Sequence, residues 1–251
     1  MVTAGIDIGS RSIELVVLKN GEIHHMSHAE TSFDYINQVK ELLSGIKAER
    51  IIATGYGRHL VAKELGFPHI TEIKAHAAGI HRLAPTVRTI LDIGGQDSKA
   101  ISIDSKGRVR RFEMNDRCAA GTGRFLEVMA QALGCRISDF GELAMRGDDM
   151  VKISSMCTVF AETEVVALRA RGAKPADVAR ALVNAVIQRS ATMLKRVEIE
   201  GEVAFCGGVA RNRAIVEGLS RVLNCSIIVP ENPEFTGALG AALLAQCSNP
   251  S

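Results

Sequence analysis

Short apolar stretches bounded by Gly, Ser and Asn open the chain. Thr3 to Ile8 and Ile13 to Leu18 read as strands on either side of Gly9-Ser10-Arg11-Ser12. Asn20-Gly21 supplies the residues a type I′ hairpin needs, so Glu22 to Met26 is expected to return as a third strand. The apolar spacing then becomes helical. Ile36, Val39, Leu42, Leu43 and Ile46 mark a helix across Asp34 to Ile46. A further strand, Ile51 to Thr54, stops at Gly55-Tyr56-Gly57.

Much of this pattern returns 85 residues later. Asp7-Ile8-Gly9-Ser10-Arg11-Ser12 aligns with Asp92-Ile93-Gly94-Gly95-Gln96-Asp97. Strands at Ala100 to Ile103 and Arg108 to Glu113 follow, joined by the turn Asp104-Ser105-Lys106-Gly107. Val203 to Cys206 ends at Gly207-Gly208 as Ile51 to Thr54 ends at Gly55. A plan used twice predicts an α/β protein of two similar lobes, each presenting a glycine-rich hairpin. One lobe is expected over 1–88 and the other over 89–235, with the last helix, 236–251, packing back on the first. Helices are expected at Arg124 to Leu133, Val159 to Arg169, Pro175 to Val197, Arg211 to Leu223 and Thr236 to Gln246. Gly134 suits a C-cap and Pro175 an N1 position. The small residues of the final helix permit a close crossing between lobes.

Size and charge narrow the reading. The chain has 251 residues, 47% of them hydrophobic, enough for two lobes of about 100–130 residues. Thirty basic and 28 acidic residues give a net charge of +2. The basic residues are scattered, and their densest group, Arg108, Arg110 and Arg111, fits a solvated strand end. No nucleic-acid footprint is expected. No apolar run reaches the ~18 residues of a membrane span, and no targeting segment is read, so a cytoplasmic protein is expected.

The repeated motif has a chemical reading. A strand delivers Asp7 to a tight turn in which Gly9, Ser10, Arg11 and Ser12 can offer consecutive N–H groups to a phosphate. Asp7 would face magnesium or its waters, since hard cations prefer oxygen. Taken alone, the first copy fits an ordinary hairpin better. The second copy, with Asp92 leading Gly94, Gly95 and Gln96, makes a grip on a polyphosphate from two sides. Gln96 would orient an attacking water, or else be a solvated turn residue. A third element, Cys206-Gly207-Gly208-Val209-Ala210-Arg211-Asn212, ends a strand and opens a helix; Gly207, Gly208, Val209 and Asn212 are the expected adenosine-side contacts. The three motifs in this order resemble the actin, Hsp70 and sugar-kinase superfamily of ATPases, whose fold is actin-like (ribonuclease H-like). The ligands implied are ATP and Mg²⁺.

Two longer segments resemble something narrower. Asn115-Asp116-Arg117-Cys118-Ala119-Ala120-Gly121-Thr122-Gly123-Arg124-Phe125-Leu126-Glu127 is similar to one cysteine segment of the BadF/BadG/BcrA/BcrD ATPases, which include the 2-hydroxyacyl-CoA dehydratase activators. Ile153-Ser154-Ser155-Met156-Cys157-Thr158-Val159-Phe160-Ala161-Glu162-Thr163-Glu164 is similar to the other. Leu91 to Lys99 and Thr236 to Ala242 also resemble that family. The resemblance implies a homodimer holding one [4Fe–4S] cluster between subunits, with Cys118 and Cys157 of each chain as ligands. It implies reduced ferredoxin or flavodoxin as donor, and an iron–sulfur dehydratase or benzoyl-CoA reductase as acceptor of one ATP-driven electron. Such a cluster would be oxygen-sensitive.

The residues agree with that implication. A cubane needs four thiolates, and two from each chain of a C₂ pair supply them without any CxxC. Both cysteines precede helical patterns, where a helix N-terminus favours thiolate, with Ser154 or Ser155 as a possible cap. Cys135, Cys206, Cys225 and Cys247 sit in core-like or terminal contexts and are read as non-ligands. The other class of function is a sugar or N-acetylhexosamine kinase of the same fold, which would not need Cys118 or Cys157.

Overall fold

The computed structural model describes residues 1–153 and 157–247. Four strands come first: β1 (Val2–Ile8), β2 (Ser12–Lys19), β3 (Glu22–Glu30) and, after helix α1 (Tyr35–Leu42), β4 (Arg50–Gly55). They form one sheet in the order β3-β2-β1-β4, with β1 antiparallel to β2 and parallel to β4. Helices α2 (Arg58–Leu65) and α3 (Glu72–Leu83) follow. A second set, β5 (Thr89–Ile93), β6 (Ser98–Ile103) and β7 (Val109–Asn115), leads into helices α4 (Gly123–Leu133), α5 (Ile137–Met145), α6 (Thr158–Ala170) and α7 (Pro175–Arg196). Strand β8 (Val203–Cys206), helix α8 (Arg213–Leu223), the short β9 (Ile227–Ile228) and helix α9 (Thr236–Cys247) complete the described chain. The second sheet runs β7-β6-β5-β8-β9, again antiparallel from β5 to β6 and parallel from β5 to β8.

The sheets therefore repeat the same plan, down to their irregularities. The ladder slips between Val17 and Leu18 in the first sheet and between Ser102 and Ile103 in the second. The parallel neighbour of each central strand ends at a glycine of positive φ, Gly55 at 90° after β4 and Gly207 at 81° after β8. A side chain at Gly55 would collide with Asp7 Oδ1, and one at Gly207 with Asp92 Oδ1. The duplication thus places two carboxylates identically relative to the glycine beside them.

Helices α3 and α9 join the halves. Ala77 and Ile80 of α3 share a core with Ile90 and Ile101 of the second sheet. Ala238, Leu239 and Ala242 of α9 pack on Val16 and Leu18 of the first. The two helices cross so closely that a Cβ on Gly240 would meet the carbonyl of Ala75. Gly240→Val should therefore destabilise the protein by about 3 kcal/mol or more, since the obstacle is backbone. A urea midpoint equal to wild type would show that this crossing can open to admit a side chain.

Several sequence expectations shift. The first helix ends at Leu42, short of the expected Ile46, and Gly45 turns the chain at φ 79°. Leu43 and Ile46 still pack on that core as non-helical residues. Asp34 is not helical but caps α1, its carboxylate accepting from the Asn37 amide. The strand expected over Glu22 to Met26 continues to Glu30. Gly207-Gly208 does not open an α-helix directly. A 3₁₀ turn, Gly208–Arg211, intervenes, and α8 begins at Arg213 with Asn212 as its cap. The possible caps Ser154 and Ser155 lie outside the described residues. Gly134 and Pro175 stand at the C-cap and N1 positions expected of them. Among the described residues no helix is long and apolar enough to cross a membrane.

Candidate functional site, a cleft between the two sheets

Both hairpins close in the same way. Gly9 N–H donates to Ser12 O at 2.9 Å, and Gly94 N–H to Asp97 O at 3.1 Å. They approach each other, since a Cβ at Gly95 would touch Ser10 Oγ and the Arg11 side chain. Between the sheets lies a cavity of about 1420 Å³. All thirteen residues expected at the nucleotide line it: Asp7, Gly9, Ser10, Arg11 and Ser12 from the first hairpin; Asp92, Gly94, Gly95 and Gln96 from the second; Gly207, Gly208, Val209 and Asn212 from the β8 turn. Asn212 does so while its Oδ1 accepts from the Ile215 amide at the head of α8.

The floor is acidic and dry. Asp7 is pushed well above the usual carboxylate range by burial first, then by Glu72 and Glu14 beside it. Glu14, opposite Asp7 in the β1–β2 ladder, is raised to about 7, mainly by burial. Asp92 is equally buried, but His76 and Lys99 outweigh that burial and hold its pKa low. Lys99 Nζ, almost inaccessible, lies 3.1 Å from Asp92, 3.2 Å from Glu72 and 2.7 Å from Asp97. Hard oxygens crowded this way, with Asp7 and Glu14 driven toward their neutral forms, are a donor set that a divalent cation would relieve. Magnesium fits these residues.

Glu14 has a consequence for stability. Its folded pKa lies above its unfolded value, so burying the carboxylate costs stability progressively from about pH 4.5 to about pH 7 and fully above. In the cation-free protein Glu14→Gln should thus be more stable than wild type at pH 8, by up to about 3 kcal/mol, and near equal at pH 4. Urea unfolding at the two pH values measures this, and a gain that is the same at both would contradict the assigned burial.

Sequence reasoning missed Glu14, Glu72, His76, Asp97 and Lys99. Two carried a visible signal, because Glu14 and Lys99 interrupt strands whose neighbours are otherwise buried and largely apolar.

The cysteines expected as ligands are not among the residues lining this cleft, although Asp116 and Gly123, on either side of Cys118, are. Cys118 is half-buried in the loop before α4, its carbonyl accepting from Asn115 Nδ2 at 2.8 Å. Cys157 is exposed and is the N-cap residue of α6, with no side-chain cap bond. Helices α4 and α6 pack on each other. Helix α4 is fastened to both hairpins. The amides of Gly123 and Arg124 donate to the carbonyls of Gly94 and Gly95 at 2.9 and 2.8 Å. Arg11 Nε pairs with Glu127 Oε1 at 3.0 Å. Among the other thiols, Cys206 is buried and donates to Leu91 O at 3.4 Å. It also shares with His76 and Asp92 a group of ligand atoms within 4.8 Å of one another.

Residues 4–245 match the BadF/BadG/BcrA/BcrD ATPase family. The chain belongs to this family of ATPases. A 2-hydroxyisocaproyl-CoA dehydratase activator from Clostridioides difficile is 42% identical over 98% of this chain and 95% of its own length. One of the subunits of benzoyl-CoA reductase from Thauera aromatica is 32% identical over 96% and 92%. Among solved structures, the activator of the 2-hydroxyisocaproyl-CoA dehydratase from Clostridium difficile with bound ADPNP superposes with a TM-score of 0.88, 38% identity and full coverage of both chains. A ROK family glucokinase from Streptomyces griseus, at 15% identity and a TM-score of 0.65 over 99% of this chain and 100% of its own, shares the actin-like fold. The fold expected from the glycine-rich motifs and the family expected from the two cysteine segments are thus both shown.

Proposed function

We propose that this protein binds Mg·ATP in the cleft and uses its hydrolysis to deliver one electron to a partner enzyme of the 2-hydroxyacyl-CoA dehydratase or benzoyl-CoA reductase type. The observation that carries the reading is the attachment of both phosphate hairpins to α4, the helix that follows the Cys118 loop. Whatever draws the hairpins together or lets them part must move that loop.

Each residue has a task. Backbone amides of Gly9 to Ser12 and Gly94 to Gln96 hold the phosphates from two sides. Asp7 and Asp92 take the shell of a magnesium ion, which would draw charge from the γ-phosphate. Gln96 orients the attacking water. Gly207, Gly208, Val209 and Asn212 flank the nucleoside. Cys118 and Cys157 of two chains supply four thiolates to a [4Fe–4S] cluster, the group that would carry the low-potential electron. The donor set suits it, for Cys157 is exposed at a helix N-terminus and Val159, Phe160 and Val166 beyond it on α6 expose 68, 65 and 60% of their surface. An apolar face of that kind beside the thiol fits burial against a second chain. Reduced ferredoxin or flavodoxin is the donor.

The test is a reconstitution without air. The protein, reduced with dithionite and freed of reductant, is mixed with a purified 2-hydroxyacyl-CoA dehydratase and its acyl-CoA. Dehydration should begin with Mg·ATP and not with Mg·ADPNP. Turnover of ATP that rises with added hexose and is indifferent to reduction would overturn the proposal in favour of a kinase.

A further inference from the structure

The second aspartate loop does not stand alone. Asp92 presents Oδ2 to two donors, Lys99 Nζ at 3.1 Å and His76 Nε2 at 3.5 Å. Oδ1, the oxygen neither donor engages, lies beside Gly207 at the cleft wall. His76 is buried on α3, and its other nitrogen, Nδ1, is 2.9 Å from Thr236 Oγ1. Thr236 is wholly buried at the start of α9, with its hydroxyl 3.2 Å from Pro233 O.

Hydrogen counting orders this chain. The Thr236 hydroxyl has one hydrogen. If Pro233 O takes it, His76 donates through Nδ1, and an attractive contact with Asp92 needs Nε2 protonated as well. If His76 Nδ1 takes it, the neutral ring carries its hydrogen on Nε2. Each arrangement that serves Asp92 turns an Nε2–H toward the carboxylate 3.5 Å away, so the ring cannot rotate without losing a buried polar contact.

We propose that His76 is a positioning residue for ATP hydrolysis: it pins Asp92 Oδ2 so that Oδ1 faces the cleft, and Thr236 sets the ring. The proposal rests on the reading of Asp92 as a magnesium-shell residue. The three residues come from both halves of the fold. Helix α9 packs on the first sheet, whereas α3 and β5 belong to the core of the second. A change in the angle between the halves acts on the Thr236–His76 bond and reaches Asp92 through it. Cleft closure and alignment of the carboxylate are then one event.

A cation held by His76, Asp92 and Cys206 fits less well. The ring turns Nε2 to Asp92 and Nδ1 to Cys206, 3.7 Å away, so one ion cannot use the near nitrogen for both. The Lys99 ammonium already shares the carboxylate oxygen.

The experiment uses the full chain purified without air. Turnover of Mg·ATP is measured with the magnesium midpoint, and magnesium-dependent thermal stabilisation by ADPNP gives a readout free of activity. His76→Ala should lower kcat about 30-fold and raise the magnesium midpoint about tenfold, with the KM for ATP within about twofold. His76→Gln, whose amide can donate to Asp92, should recover to within about fivefold of wild type. Thr236→Val should shift both quantities the same way by about fivefold, Thr236→Ser should not, and the double variant Thr236→Val/His76→Ala should be no worse than His76→Ala alone. A lower Tm with unchanged kcat and magnesium midpoint in His76→Ala and Thr236→Val would overturn the proposal, as would additive losses. Asp92→Asn separates the two ideas. If it keeps full magnesium-dependent turnover, the underlying reading of the cleft fails. If it loses turnover while the His76 and Thr236 variants behave as wild type, only the positioning role fails.

Discussion

Cys118→Ser protein should be colourless when purified without air, and Cys157→Ser protein should be colourless too. In a two-fold dimer each substitution removes two ligands at once, because symmetry deletes the partner's thiol as well. Two remaining thiolates do not hold a cubane against loss to solvent. The surroundings of the two cysteines support their selection. Cys157 begins α6 with its thiol exposed, and Cys118 sits in the loop that Asn115 fastens ahead of α4. The other thiols are placed differently. Cys206 is spent on the Leu91 carbonyl inside the core, and Cys135 and Cys225 pack against the hydrophobic cluster of the second sheet. Cys247 is exposed at the end of α9, far along the chain from either ligand loop. Cys135→Ser, Cys206→Ser, Cys225→Ser and Cys247→Ser should therefore stay brown where they fold. A brown Cys157→Ser protein with full iron content would remove that residue from the site.

Asp7→Asn and Asp92→Asn should each lower Mg·ATP turnover at least tenfold, a loss of about 1.4 kcal/mol or more of transition-state stabilisation. The expectation is the same for both because the geometry is the same for both. Each is the penultimate residue of a central strand, each precedes a closed four-residue hairpin, and each has Oδ1 against a positive-φ glycine. Their electrostatic settings differ, however. Asp7 lies among Glu14 and Glu72 and is pushed up, whereas Asp92 is held down by His76 and Lys99. Asp7→Asn should thus relieve repulsion in the cation-free protein and raise its Tm even as turnover falls. Asp92→Asn leaves Lys99 with one carboxylate fewer and should lower Tm. Turnover is measured by ADP release and Tm by calorimetry. Unchanged turnover in both folded variants would refute the assigned roles. Gln96→Ala should slow hydrolysis more than it weakens nucleotide binding.

Strands β1, β2, β5 and β8 were readable in the sequence because they are buried and largely apolar, whereas the exposed β3 was placed by its Asn20-Gly21 turn. Their repetition was readable because an aspartate and a glycine-rich turn follow the first strand of each set. Helices α2, α3 and α5 were not. Glu72–Leu83 buries Ala75, Ala77 and Gly79, and Ile137–Met145 carries Gly141. A mid-helix glycine argues against a helix by about 1 kcal/mol, yet here small residues serve close contact with another element. Gly79 and Gly240 make room for the α3–α9 crossing, and Gly141 for the Asn212 side chain. Missing α3 hid Glu72 and His76 together. Lys99 was visible as a charge within a buried strand, but its role was not, since its three partners are assembled from α3, β5 and a hairpin only on folding. The glycine-rich loops were legible as motifs, whereas the long-range contacts that surround them were not.

Iron content per chain tests the central claim most directly. Protein purified under strict exclusion of air, sized in solution and analysed for iron and sulfide, should contain about four irons for every two chains and should give a [4Fe–4S]⁺ paramagnetic resonance signal on reduction. Its colour should bleach quickly in air, because a cluster shared by two chains would lie near the surface on their two-fold axis. About four irons in each single chain, or a monomer that keeps its iron, would contradict the account, since two further ligands would then have to come from within the chain.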